Sequence, residues 1–269
     1  MLLALDVGNS NMVMGLFRPA ADGKPAELIT DWRITSPFKQ TPDELGIVFQ
    51  TLFTMRGITP QDVTGVVISS VVPPLDSTLR RVIESYFKVR PLFIEPGVKT
   101  GVPVLTDNPN EVGADRIANS VAAFDLLGGP AIIVDMGTAT TFDVVSRKGE
   151  FLGGAIAPGL GISADALFSR AARLTRVDIK KPTKIIGTST TDNIQIGLYY
   201  GYIGLVDGIL DRMIAELGAP AQVVATGGLA RQISEDSRFI TQIDDMLTLD
   251  GLKILYERNR ATRPRASKS

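Results

Sequence analysis

The chain has 269 residues, 44% of them hydrophobic, with 28 basic and 29 acidic side chains; this length supports a sizeable core in one large or two ordinary domains, and the balanced charge argues against nucleic acid or an anionic membrane as the main partner. Cysteine and histidine are both absent, which excludes disulfides, a thiolate nucleophile and the commonest transition-metal ligand and leaves acid–base chemistry to Asp, Glu, Lys or Tyr. Because there is no long apolar run and no signal-type N-terminus, we expect a cytoplasmic protein.

The first half of the chain opens with strands and then alternates helices with strands. Hydrophobic patterning predicts antiparallel strands at 2–5, 12–17 and Glu27–Thr35, further strands at 63–73 and 90–97, and a helix at 75–87. Between the third and fourth strands, Thr41 is followed by Pro42 and then by Glu44. These residues form a capping-box signature, so a helix is predicted to begin at Pro42 and to end at Gly57.

The second half follows a loop rich in Pro, Gly and Asn. Its predicted elements are a helix at Ala114–Leu127, strands within 130–146 and 149–159, helices at 160–174 and 192–217, a strand at 221–228 and a helix at 245–258. We therefore predict two domains, 1–112 and 113–258, followed by a disordered polar tail at 259–269.

One motif occurs near the start of each half. Asp6 and Gly8 follow the first strand in "LDVGNSN", and 129 residues later Asp135 and Gly137 follow another apolar strand in "VDMGTAT". The same alignment pairs Asn9 with Thr138 and Asn11 with Thr140. The repetition predicts an α/β unit, opened by a β-hairpin, that is used twice.

Each of these turns has the chemistry of a phosphate-binding loop. Glycine lets a bulky anion approach the backbone, and the neighbouring N–H groups and polar side chains can donate to phosphate oxygens. Asp6 and Asp135 would repel a bare phosphate, so we expect a bound cation, as in a metal–nucleotide complex. No P-loop signature occurs in the sequence. The alternative is a pair of ordinary hairpin turns in which Asp bonds its own backbone.

Asp115 and Arg116, in "EVGADRIANS", lie at the start of the helix predicted at Ala114–Leu127. A helix N-terminus suits an anionic substrate group and is expected to lower the pKa of a nearby Asp. Asp115 could accept a proton, and Arg116 could hold a carboxylate. Alternatively, Asp115 only satisfies the helix start and Arg116 is a surface charge.

Five segments together resemble one known family. "DVGNSNMVMGLF", "DNPNEVGADRIANSVAA", "VDMGTATTFDVV", "LGGAIAPGLGISADALF" and "IGTSTTDNIQIGLYYG" occur in this order within residues 1–228. The paired turns are similar to those of the actin, sugar kinase and Hsp70-type ATPase superfamily, and the five segments are similar to type III pantothenate kinases. The resemblance implies a two-domain, duplicated actin-like (ribonuclease H-like) α/β fold, a homodimer, and ATP-dependent phosphorylation of pantothenate in the first step of coenzyme A synthesis.

The resemblance also implies roles for individual residues. ATP with Mg²⁺ would be bound by Asp6, Val7, Gly8, Asn9, Ser10, Asn11, Met12, Val13 and Thr138, with Asp6 near the metal. Pantothenate would be bound by Gly113, Ala114, Asp115, Arg116 and Thr190, with Asp115 as the catalytic base and Thr190 reaching across the dimer interface. Asp135 would hold a monovalent cation, K⁺ or NH₄⁺.

The chain departs from the family pattern at three positions near the pantothenate contacts. Thr106 stands where many members have Tyr, and Thr188 and Ser189 stand where Lys and Asn commonly precede Thr190. Two other functions fit the same motifs: an actin-like kinase of another small alcohol, and a regulator that binds pantothenate or nucleotide without catalysis. The loop "ATGGL" at 225–229 is either part of the adenine pocket or a plain turn.

Overall fold

The computed structural model describes residues 1–20, 26–36, 38–171 and 173–260, which form two units of β-sheet and helix. The strands are β1 (Leu2–Val7), β2 (Asn11–Arg18), β3 (Glu27–Thr35), β4 (Gly65–Ser70), β5 (Leu92–Phe93), β6 (Ala131–Met136), β7 (Ala139–Val145), β8 (Phe151–Pro158), β9 (Gln222–Thr226) and β10 (Gln242–Ile243). The α-helices are α1 (Pro42–Thr54), α2 (Pro73–Val82), α3 (Ala114–Leu127), α4 (Leu160–Arg170), α5 (Thr190–Leu217), α6 (Ala230–Ser234) and α7 (Leu247–Arg260).

The first unit contains a mixed five-stranded sheet in the order β3-β2-β1-β4-β5. β1 pairs antiparallel with β2 and parallel with β4, which pairs parallel with β5. Alternate residues, such as Leu3 and Leu5, form a buried core with α1 and α2. α7 covers the opposite face, where a Cβ at Gly15 would lie 2.8 Å from Leu249. The sheet is therefore packed between helices on both faces.

The second unit repeats this sheet. Its strand order is β8-β7-β6-β9-β10, with the same antiparallel and parallel pairs in the same sequence. Even the register shift recurs, between Leu16 and Phe17 in the first sheet and between Val144 and Val145 in the second. α5 supplies much of the core on one face. The predicted duplication and the predicted mixed sheets flanked by helices are confirmed.

The predicted start of α1 is also confirmed. Glu44 donates its backbone N–H to the Thr41 hydroxyl at 3.3 Å, and its carboxylate accepts the Thr41 N–H at 2.7 Å. Pro42 occupies the first turn, where a backbone N–H has no helical partner. The helix ends at Thr54, three residues before Gly57.

Several other elements are shorter than predicted. β4 ends at Ser70 because Pro73 and Pro74 begin α2 instead of terminating the strand. Only Leu92–Phe93 forms a strand in the region predicted at 90–97, and the helix predicted at 75–87 ends in a π-helical segment, Ile83–Phe87. The short elements α6 and β10 were not predicted, since they offer too few residues for a periodic pattern.

The units interleave along the chain. Among the described residues, the first comprises those within Met1–Gly101, Asn108–Ala122 and 247–260, and the second comprises those within Val102–Asp107 and Ala123–Met246. The predicted division at residue 113 groups α7 with the second domain, whereas its contacts group it with the first. α7 continues to Arg260, so the predicted tail begins too early; residues 261–269 lie outside the described part. Within the described ranges, none of the helices combines the length and the apolar character that a membrane span requires.

Candidate active site

The first polar turn connects β1 to β2 at the carboxyl end of β1. Asp6 is half-buried and pairs in register with Val13 on one side and with Ser69 of β4 on the other. The Gly8 N–H donates to the Asn11 carbonyl at 3.0 Å, which closes a four-residue turn. A Cβ at Gly8 would lie 3.2 Å from that carbonyl oxygen, so a larger residue would crowd the turn.

Ser36, directly after β3, holds the first turn from the neighbouring strand end. Its N–H donates to the Ser10 carbonyl at 3.0 Å, and its hydroxyl donates to the Gly8 carbonyl. Asn9, Ser10 and Asn11 are exposed. Their polar groups therefore lie on the surface of a turn whose backbone is fixed, as a phosphate-binding loop requires.

The second turn, between β6 and β7, is one residue shorter. The Gly137 N–H donates to the Ala139 carbonyl at 3.0 Å, and Met136 pairs with Thr140, which leaves three residues in the turn. Ala139 therefore takes the structural place of Asn11. The predicted pairing of Asn11 with Thr140 is wrong, because an alignment without gaps cannot place the missing residue.

Thr140 lies in the core below the second turn, and not on its surface. Its fully buried side chain shares a hydrogen bond with the hydroxyl of Tyr202, on α5. Burial raises the pKa of Tyr202, the Thr140 hydroxyl lowers it, and the negative charge of Asp135 raises it. Asp135 thus lies within electrostatic range of α5, while Thr138 is exposed at the tip of the turn.

Two glycines bring the backbone close to the second turn. Gly159 donates its N–H to the Thr138 carbonyl at 3.1 Å, and a Cβ at Gly159 would lie 2.3 Å from the same oxygen. Gly227, the first residue after β9, has a φ of +94°, and a Cβ there would lie 2.7 Å from Oδ1 of Asp135. A side chain at position 227 would occupy the space of that carboxylate.

Asp115 lies at the start of α3, in the first unit. Its Oδ1 accepts the Arg116 N–H at 2.8 Å, and a Cβ at Gly113 would lie 2.5 Å from this oxygen. Gly113 also lies against Val71, whose N–H donates to the Val7 carbonyl at 3.1 Å. The start of α3 is therefore beside the strand end that carries the first turn.

The environment of Asp115 changes its acidity. Burial raises the pKa of Asp115 and outweighs the backbone N–H and the positive charge of Arg116, which lower it. The prediction that the helix start lowers this pKa is wrong, because desolvation of the carboxylate exceeds the effect of the helix terminus. A raised pKa brings the carboxyl closer to the range in which a general base works best near neutral pH.

Thr190 is the first residue of α5 and is exposed. Ser189 caps the helix by accepting the Asp192 N–H at 3.1 Å, and Lys184 donates to the Thr188 hydroxyl at 3.0 Å. Within the described part of the chain, no side-chain hydrogen bond joins Thr190 to the second turn.

The donor set indicates which ions could bind. Among the described residues, no group of three or more His, Cys, Asp or Glu could hold a metal ion. Each turn instead offers one half-buried carboxylate next to a hydroxyl residue: Asp6 beside Ser69, and Asp135 beside Thr226. Single oxygen donors of this kind suit a hard cation that completes its shell with water or phosphate oxygens.

Sequence reasoning missed the two hydroxyl residues. Ser69 ends "VVIS" and Thr226 ends "VVAT", so the shared pattern of two valines, one residue and a hydroxyl was a usable signal. Ser69 is fully buried, and its Oγ has no hydrogen-bond partner in the described residues.

Comparison with known proteins gives full-length matches. The family model for type III pantothenate kinase matches residues 2–212. A type III pantothenate kinase from Koribacter versatilis is 59% identical over 265 residues, with 97% of each chain covered. Another, from Acidobacterium capsulatum, is 58% identical over 266 residues, with 99% of this chain and 98% of the relative covered.

Solved structures share the fold at low sequence identity. A Campylobacter jejuni protein assigned to the Baf family of transcriptional activators has a TM-score of 0.60 at 19% identity, with 96% of this chain and 99% of that chain covered. A Sinorhizobium meliloti protein assigned as a 2-dehydro-3-deoxygalactonokinase has a TM-score of 0.58 at 13% identity, with 100% and 99% covered. These likenesses confirm the predicted actin-like fold. At such low identity they do not indicate the substrate. With a family model over residues 2–212 and full-length relatives at 58–59% identity, the chain belongs to the type III pantothenate kinase family.

Proposed function

We propose that this chain transfers the γ-phosphoryl group of ATP to the hydroxyl of pantothenate, giving 4′-phosphopantothenate, the first step of coenzyme A synthesis. The observation that carries the proposal is the half-buried carboxylate of Asp115, beside the strand end that bears the first turn, in a chain of this family. Phosphoryl transfer has a loose transition state, so the protein mainly positions the reactants and balances charge.

The first turn is proposed to bind the triphosphate of ATP. The fixed backbone of the turn and its exposed Asn9, Ser10 and Asn11 offer donors to phosphate oxygens. Asp6 would lie near Mg²⁺, which when bound neutralises phosphate charge. Thr138, exposed at the tip of the second turn, would add a contact to ATP.

The start of α3 is proposed to bind pantothenate through Gly113, Ala114, Asp115 and Arg116. The guanidinium of Arg116 can hold the substrate carboxylate in two parallel hydrogen bonds, and the helix N-terminus favours the same negative charge. Asp115 accepts the proton of the attacking hydroxyl late in the transfer. Its raised pKa improves its match to that hydroxyl relative to an ordinary Asp.

Asp135 is proposed to hold the monovalent cation, K⁺ or NH₄⁺. Its half-buried carboxylate, closely approached by the Gly227 backbone, suits a singly charged ion with oxygen ligands.

We also propose a homodimer in which Thr190 contacts pantothenate bound to the partner. The exposed position of Thr190 at the start of α5 supports this role. The cytoplasmic location stays a prediction.

The test is a direct assay of the purified chain with ATP, Mg²⁺ and pantothenate, with and without K⁺, in which product is identified by mass spectrometry. We expect 4′-phosphopantothenate, with turnover that depends on K⁺. A parallel panel of hexoses should give no ATP consumption. Hexose phosphorylation without pantothenate turnover would favour a sugar kinase, and pantothenate binding without any turnover would favour a regulator; either result overturns the proposal.

A further inference from the structure

Ser69 carries a hydroxyl group that the described structure leaves without a partner. The residue is fully buried in β4, and its Oγ makes no hydrogen bond within the described ranges. Buried polar groups are nearly always hydrogen-bonded, and each exception calls for an explanation. The Ser69 hydroxyl is therefore available to donate to a neighbouring acceptor that a bound ligand brings into position.

The neighbour of Ser69 across the sheet is a suitable acceptor. Asp6 and Ser69 are register partners in the parallel pair of β1 and β4, so their side chains project from the same face. Neighbouring strands lie about 4.7–4.9 Å apart, which places a serine hydroxyl within reach of a carboxylate on the adjacent strand. A carboxylate accepts hydrogen bonds only, so Ser69 must be the donor.

The second unit contains the same arrangement. Thr226 is the register partner of Asp135 in the parallel pair of β6 and β9, and it is also buried. The turns of the two units have diverged in length, yet both keep a hydroxyl residue beside the strand-end carboxylate. Because the pair recurs although the turns differ, we infer that the hydroxyl acts on the neighbouring carboxylate and not on the turn.

We propose that Ser69 is a positioning residue for Asp6: when Mg²⁺ and ATP bind, its hydroxyl donates to the Asp6 carboxylate and fixes the oxygen that faces the metal–triphosphate complex. The inference rests on the proposed role of Asp6. Carboxylates near metals are commonly oriented by a hydrogen bond from a neighbouring residue, and loss of such a partner costs about 10–100-fold in metal affinity or activity.

The test compares Ser69→Ala with Ser234→Ala. Ser234, on α6, is the matched control because its Oγ is also buried without a partner in the described residues and lies in no proposed site. Affinity for a non-hydrolysable ATP analogue is measured by calorimetry with and without Mg²⁺, and the melting temperature is measured without ligand. Ser69→Ala should weaken binding about tenfold or more with Mg²⁺ and little without it, while its melting temperature stays equal or rises. Ser234→Ala should leave both affinities unchanged.

The outcomes separate the proposal from its alternatives. Unchanged affinity with Mg²⁺ in folded Ser69→Ala would overturn it, and so would a variant that melts earlier or fails to fold, since that outcome indicates a structural hydroxyl. Ser69→Thr, which copies the second unit, should restore most of the affinity lost in Ser69→Ala, and failure to do so also contradicts the proposal. Because the binding measurement uses no pantothenate, a wild-type chain that binds the analogue yet fails to phosphorylate pantothenate would refute the proposed substrate and leave the role of Ser69 standing.

Discussion

At the scale of single residues, Asp115 combines a catalytic position with an unfavourable electrostatic one. The fold removes part of the water around its half-buried carboxylate, and the N–H and charge of Arg116 restore only part of the lost solvation. A charged group held in this way destabilises the folded state, as is common where activity requires a perturbed acid.

Replacement of Asp115 by Asn should separate activity from stability. We expect turnover to fall by about 10²–10⁴-fold, because the proton acceptor is lost, while affinity for ATP is kept. The pKa of Asp115 is raised above an unfolded value of about 3.9, so the wild type loses stability as pH rises through the interval between the two values. Asp115→Asn should therefore melt at a higher temperature than the wild type near neutral pH, and this difference should vanish below about pH 4.

The matched control is Asp125→Asn, an exposed carboxylate later in α3. It should leave turnover unchanged. Wild-type turnover in Asp115→Asn would exclude Asp115 as the base. A lower melting temperature near neutral pH would show instead that the charge stabilises the fold.

Functional residues could be predicted from the sequence only where they interrupt a recognisable pattern of apolar residues or lie at the start of a predicted helix. Asp6, Asp135 and Asp115 stand out because a carboxylate interrupts an apolar strand or begins a helix. The direction of the Asp115 pKa could not be predicted, because burial comes from elements distant in sequence. Ser69 reads as an ordinary strand residue until its register with Asp6 is known.

At the scale of elements, the two hairpins reach similar geometry by different means. In the first, the Ser36 side chain donates to the Gly8 carbonyl. In the second, Gly159 takes the place of Ser36 and its backbone approaches so closely that no side chain fits. The two turns differ in length by one residue, and this difference lies after the shared Asp and Gly. An alignment anchored on Asp and Gly therefore does not detect it.

Because of this difference, we expect Gly159→Ser to destabilise the fold more than Ser36→Gly does. Gly159→Ser should lower the free energy of unfolding by about 1–3 kcal/mol, because a side chain there overlaps the Thr138 and Gly137 carbonyls. Ser36→Gly loses one hydrogen bond and should cost only about 0.5–1.5 kcal/mol. Urea titrations of both variants against the wild type measure the two values. If Gly159→Ser is as stable as the wild type, the second turn has more room than its geometry indicates.

At the scale of the whole molecule, the interleaving of the units gives α7 an importance that its position near the end of the sequence does not suggest. Its buried residues include Leu247, Leu249, Leu252 and Leu255, and Gly251 packs against the backbone of Ala118 on α3. Sequence patterning predicted the helix but not its sheet, since periodicity identifies an apolar face without identifying its partner.

A chain that ends at Met246 should therefore fail to fold its first unit. Burial of one leucine contributes about 1.5–3 kcal/mol, so the four leucines of α7 approach the whole net stability of a domain, about 5–15 kcal/mol. Circular dichroism and thermal melting of the truncated chain should show loss of the cooperative unfolding of the first unit. A chain that ends at Arg260 keeps every described residue and is the control. Wild-type melting of the shorter chain would mean that α7 is dispensable.

The same packing sets a constraint on biosynthesis. β1, the central strand of the first sheet, leaves the ribosome before α7, the helix that covers one of its faces, which follows roughly 240 residues later. At about 5–20 residues per second, that delay is on the order of 10–50 s. Until α7 is made, the sheet face around Gly15 and Leu2 lacks the helix that buries it in the folded chain, so we expect an apolar surface to stay uncovered during that time.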